Sequence, residues 1–116
     1  MGKSILRDKS YDFTLKIVKL SQVLVSEKKE FVLSKQLLRI GTAIGALIRE
    51  AEFAQSKADF IYKMSISLNE GNETLYWPEL LKDSALIAEI EFDTLSNNSK
   101  ELVVMLVSSI KTSKGK

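Results

Sequence analysis

Two sets of basic residues recur at spacings that a helix would gather onto one face. Lys9, Lys16 and Lys19 form the first, and Lys28, Lys35 and Arg39 form the second. Cations arrayed in this way suit phosphate, because each neutralised phosphate releases counterions and affinity grows with the number of contacts. The same arrangement also suits a solvated face, or attraction to an acidic part of the same chain. The net charge is only +2, but it is distributed unevenly. Residues 1–49 carry ten Lys/Arg against four Asp/Glu, a balance of +6, and residues 50–116 carry seven against eleven, a balance of −4.

Carboxylates offer a second chemistry. Di-iron bundles use inward Glu residues with Glu-x-x-His pairs. Glu70 and Glu73 have the required spacing, and Glu50 and Glu101 fall on other predicted helices, but the chain of 116 residues contains no histidine and no cysteine. The commonest general base, the commonest transition-metal ligand, thiolate zinc sites and disulfides are therefore excluded. No phosphate loop, dinucleotide fingerprint or nucleophile motif is present. No metal, no cofactor and no enzymatic activity are expected.

Aromatics offer a third. Tyr76 and Trp77 are adjacent, so on a helix they point about 100° apart and only one can face a core squarely. The other is a candidate anchor for a subunit interface.

The elements that must position these groups read as helices throughout. Leu33, Leu37, Ile40, Ile44, Leu47, Ala51 and Ala54 alternate in steps of four and three, one stripe on one long helix over residues 31–54. A first helix spans about 10–25, with Phe13, Ile17, Leu20 and Leu24 on its stripe. Ser56, followed by Asp59, reads as the N-cap of a third helix over 57–82. Pro78, the only proline, falls inside that pattern and predicts a kink, or an early helix end followed by a short separate turn. A fourth helix spans about 89–111, with Asn97-Asn98-Ser99 as a local weak spot and a frayed tail over 112–116. Nothing reads as a strand, and short connections between long helices dictate an all-α, antiparallel up-down-up-down four-helix bundle in a single domain over 1–116.

Two mid-helix glycines, Gly41 and Gly45, sharpen this picture. Each costs about 1 kcal/mol relative to alanine, so close approach of another helix is the expected compensation. Ser67 and Gly71 make a second small-x-x-x-small pair on the third helix.

The segment Gln36–Leu81 resembles the four-helix-bundle family of 23S ribosomal-RNA intervening-sequence proteins, and is similar to the accessory protein of diversity-generating retroelements. The matching stretches are Gln36-Leu37-Leu38-Arg39, Ala43-Ile44 with Leu47-Ile48-Arg49-Glu50, Gln55-Ser56-Lys57-Ala58-Asp59-Phe60, and Glu73-Thr74-Leu75-Tyr76-Trp77 with Glu79-Leu80-Leu81. The resemblance implies a bundle that assembles into a ring, commonly a homopentamer, without enzymatic activity. For the retroelement relatives it implies binding to nucleic acid, RNA or DNA, and to a reverse transcriptase through basic surface. The chain departs from the family pattern at Ala43 and Leu47, where Ser and Asn are usual, at Ala51 (often Gly), at Gly71 (Ala) and at Pro78 (an apolar residue).

The start, Met1–Leu6, is polar and basic with no secretory apolar core, and the longest apolar stretch, Ile40–Ile48, is far short of a membrane span. The sequence thus predicts a cytoplasmic, self-associating, non-catalytic bundle that offers Lys9, Lys16, Lys19, Lys28, Lys35 and Arg39 to nucleic acid or to a nucleic-acid enzyme. The alternative is a protein–protein interaction scaffold.

Overall fold

The computed structural model describes residues 4–115; Met1–Lys3, the basic start of the chain, and Lys116, the last residue of the tail, lie outside the described residues. The elements are α1 (Ile5–Lys28), α2 (Val32–Ala51), α3 (Lys57–Glu73), α4 (Tyr76–Asp83) and α5 (Glu89–Lys114), with no strand among the described residues. Neighbouring helices pack in the order α1–α2–α3–α5 and back to α1, with α4 closing one end against α2 and α5. α3 and α4 together make the third rod of an antiparallel four-helix bundle measuring 47 × 22 × 21 Å.

Caps explain the observed bounds. α1 starts at Ile5 rather than Ser10 because Ser4 accepts a hydrogen bond from the Arg7 N–H at 3.1 Å. It ends where Lys29 turns left-handed at φ 55°. α2 begins on the Glu30 carboxylate, which accepts from the N–H groups of Val32, Leu33 and Ser34 at 3.2, 3.0 and 2.7 Å. A negative group against those free donors satisfies them and complements the helix dipole. α2 stops at Ala51 rather than Ala54, as Phe53 and Ala54 donate to carbonyls only three residues back. Ser56 caps α3 through the Asp59 N–H at 3.0 Å, while the Asp59 carboxylate accepts from the Gln55 N–H. α5 opens with the Glu91 carboxylate accepting from the Ala88 N–H at 2.8 Å. It runs to Lys114, beyond Lys111, so the tail is helical rather than frayed up to the Gly115 cap.

The third rod breaks at Thr74–Leu75, not at the proline itself. Pro78 has no N–H for the Thr74 carbonyl and its ring crowds that group, so the disruption falls one turn earlier. Pro78 then sits in the first turn of α4, where proline is tolerated.

The core is built from Phe13, Ile17 and Leu24 of α1, Leu37, Ile44 and Ile48 of α2, Met64 of α3, Leu81 of α4, and Leu95, Leu102 and Leu106 of α5. Gly41 packs against α1 so closely that a Cβ there would lie 2.7 Å from Ile17 Cγ2. At Gly45 it would lie 2.9 Å from Thr14 Oγ1, and at Gly71 it would meet Val103 Cγ2 of α5 at 3.3 Å. The glycines of α2 and α3 therefore serve different seams. Hydroxyls tie these seams and the α2–α3 seam as well: Thr14 donates to the Gly41 carbonyl at 3.1 Å, Ser21 to Ser34 at 3.2 Å, Ser67 to Ile44 at 3.1 Å and Ser99 to Gly71 at 3.4 Å. Small residues let backbones approach, and each short hydroxyl then reaches a carbonyl across the gap.

Candidate functional site

The six candidate cations do not form one face. Lys28 belongs to the last turn of α1, not to α2 with Lys35 and Arg39, because the α1–α2 turn comes after it. There it borders a groove with Glu89 and Glu91 at the start of α5. Lys9 is ion-paired to Glu101 of α5, Nζ to Oε2 2.9 Å, and Lys16 donates from Nζ to Asn98 Oδ1 at 2.8 Å. Lys9 and Lys16 are thus engaged by α5, Lys9 alone through a carboxylate. Lys19 and Lys35 are exposed, with no carboxylate within 4 Å among the described residues. Arg39 donates weakly to Gln36 at 3.4 Å and borders an open groove of about 570 Å³ with Glu73, Tyr76, Trp77 and Glu79.

The aromatic pair divides as helix geometry requires. Trp77 packs against the core cluster, whereas Tyr76 is 59% exposed. Their rings meet edge to face, with centroids 4.9 Å apart. Glu73 is exposed and lines the same groove as Arg39. Glu101 is held by Lys9, and among the described residues no three Asp or Glu side chains gather as a metal-holding group. No helix among the described residues is long and apolar enough to cross a membrane.

One cleft escaped sequence reasoning. It has a volume of about 220 Å³ and lies between α1 and α2, walled by Arg7, Tyr11, Thr14, Gly45, Ala46 and Arg49. Gly45 opens it by withholding a side chain, and the Arg49 guanidinium carbon stands 6.0 Å from the Tyr11 ring centroid. The signal was the spacing of Arg7, Tyr11 and Thr14 along one face of α1, opposite Gly45 and Arg49 on α2.

Comparison with known proteins places this geometry. No curated protein matches the chain. A crystal structure of a protein with unknown function from the S23 ribosomal protein family, from Bacteroides thetaiotaomicron, is 52% identical, covers 92% of this chain and 99% of its own, and superposes with a TM-score of 0.89. The model of the 23S rRNA-intervening sequence protein family matches residues 3–108. With a match over nearly its whole length and a bundle of the same shape, the chain belongs to the 23S rRNA-intervening sequence protein family.

Proposed function

We propose that this protein is a non-catalytic, self-associating bundle whose α1–α2 layer meets nucleic acid, RNA or DNA, or a nucleic-acid enzyme of the reverse-transcriptase kind. The observation that carries this reading is the spatial segregation of charge. α1 and α2 pack side by side, so residues 4–51, with nine Lys/Arg against five Asp/Glu, form a basic layer, and residues 52–115, with six against ten, form an acidic one. Within the basic layer, Lys19, Lys35 and Arg39 are three exposed cations with no carboxylate within 4 Å among the described residues, and these are the phosphate contacts of the proposal. Self-association as a ring, a homopentamer by family resemblance, repeats that modest patch around an axis.

Fluorescence anisotropy with labelled RNA and DNA tests this reading. Binding is expected to weaken at least about tenfold between about 50 and 200 mM salt, the behaviour of a few phosphate contacts. Lys35→Glu with Arg39→Glu should weaken it further. No detectable binding at about 50 mM salt overturns the reading. The scaffold alternative draws on one specific feature, the Tyr76 ring standing exposed beside Arg39 on an open groove.

A further inference from the structure

We infer that the cleft between the start of α1 and the end of α2 takes one unpaired nucleotide of a single-stranded nucleic acid, the base against the Tyr11 ring and the phosphate between Arg7 and Arg49. The inference rests on the nucleic-acid reading above and names the site that reading leaves open. A cleft of about 220 Å³ is smaller than the usual pocket for a drug-sized ligand, about 300–1,000 Å³, and suits a single planar ring. Tyr11 is 57% exposed although it belongs to a helix face that packs on α2. An aromatic face left open beside arginines is the common platform for unstacked bases, because every base has a π-face and guanidinium groups stack or pair with phosphate.

The two arginines are available for that role. Among the described residues no carboxylate lies within 4 Å of Arg49, and its distance of 6.0 Å from the Tyr11 ring is the outer limit of a cation–π contact. Arg7 has only long, partly exposed ion pairs, 3.6 Å to Glu52 and 3.9 Å to Asp8. A phosphate offering a short charge-assisted hydrogen bond competes well against both. The hydroxyls of the cleft are already committed as donors: Ser10 to the Arg7 carbonyl at 2.9 Å, Thr14 to Gly41 at 3.1 Å and Thr42 to Leu38 at 2.7 Å. Their lone pairs remain free to accept from the amino or imino groups of a base. Asp8 and Asp12 share the outer rim with Arg7, Tyr11 and Arg49. They disfavour a long track of phosphates there, which limits the site to one nucleotide and makes it unsuited to duplex.

The test compares a labelled single-stranded RNA with its duplex, using the wild type and three variants. Tyr11→Ala removes the stacking face. Ala46→Leu fills the cleft without changing charge or helix propensity appreciably. Arg49→Gln removes one phosphate contact. The wild type is expected to favour the single strand by about tenfold, and each variant to lose about that factor on the single strand. Tyr11→Ala and Ala46→Leu should leave duplex binding unchanged, and melting followed by circular dichroism checks that every variant is folded. Ultraviolet cross-linking of the RNA should map to the Tyr11 peptide. If the wild type binds RNA with the salt dependence above while Tyr11→Ala and Ala46→Leu bind as the wild type does, or if duplex binds as well as single strand, the cleft is not the site and the broader reading survives. If the wild type binds neither form at about 50 mM salt, both fall together.

Discussion

At Gly41 one added methyl group decides between two opposed effects. Alanine would relieve about 1 kcal/mol of helix penalty, but its Cβ would stand 2.7 Å from a methyl of Ile17, which is fully buried and cannot swing aside. Overpacking costs about 1–3 kcal/mol, so Gly41→Ala is expected to destabilise the protein in urea unfolding. Gly71→Ala meets Val103 Cγ2 at 3.3 Å, and Val103 is only partly buried, so the neighbour can give. There the helix gain prevails, and Gly71→Ala should be neutral or stabilising by up to about 1 kcal/mol. Equal effects at both sites would contradict the close-packed seam. Thr74 poses the reverse case. Its hydroxyl oxygen is buried with no hydrogen-bond partner, at 1% residue exposure. Thr74→Val keeps the shape and removes the unsatisfied group, so a gain of about 1 kcal/mol is expected from the same unfolding curves. A loss of stability would mean that the hydroxyl has a partner after all.

The elements were legible to different depths. The stripe from Leu33 to Ala51 is plain, because a period of 3.6 repeats over many turns and Leu37, Ile40, Ile44 and Ala51 are buried on it, although Ile48 rather than Leu47 fills the core. The end of α2 was less so: Ala54 continues the period, yet the chain has already turned, since apolar spacing does not record where hydrogen bonds shorten to three residues. Asn97-Asn98-Ser99 looks weak by propensity alone, but α5 runs straight through it. Asn98 accepts from Lys16 and Ser99 donates to Gly71, partners on other helices that no local pattern reveals. Lys9 and Lys16 likewise have partners on α5, Glu101 and Asn98, that spacing along α1 does not reveal. The break between α3 and α4 was anticipated from Pro78 but displaced, because proline acts on the carbonyl four residues earlier. That geometry makes a sharp prediction. With Pro78 already in the first turn of α4, Pro78→Ala should change stability by less than about 0.5 kcal/mol. A gain near 3 kcal/mol, the interior cost of proline, would show instead that the third rod is one helix held bent.

For the whole molecule, segregated charge constrains how copies can meet. A head-to-tail contact can set the basic layer of one copy against the acidic layer of the next, whereas a two-fold contact does so only where the shared patch straddles both layers. Head-to-tail contacts close into rings when the rotation allows, which agrees with the ring that family resemblance implies. Tyr76 is the exposed aromatic best placed to anchor such a contact, since it stands beside Arg39, Glu73 and Glu79 and can bring apolar area and both charge signs to one patch. Trp77, its neighbour, spends its ring on the core. The two substitutions should therefore separate: Tyr76→Ala lowers the solution mass measured by light scattering toward the 13.0 kDa of one chain while melting stays cooperative, and Trp77→Ala lowers the melting temperature first. Salt adds an independent handle. At about 0.5 M the screening length falls below about 5 Å, so a contact steered by opposite layers should loosen, and mass should drop with salt in the wild type. An assembly whose mass ignores both salt and Tyr76→Ala would have to be joined through another surface, and charge segregation would then have no part in assembling it.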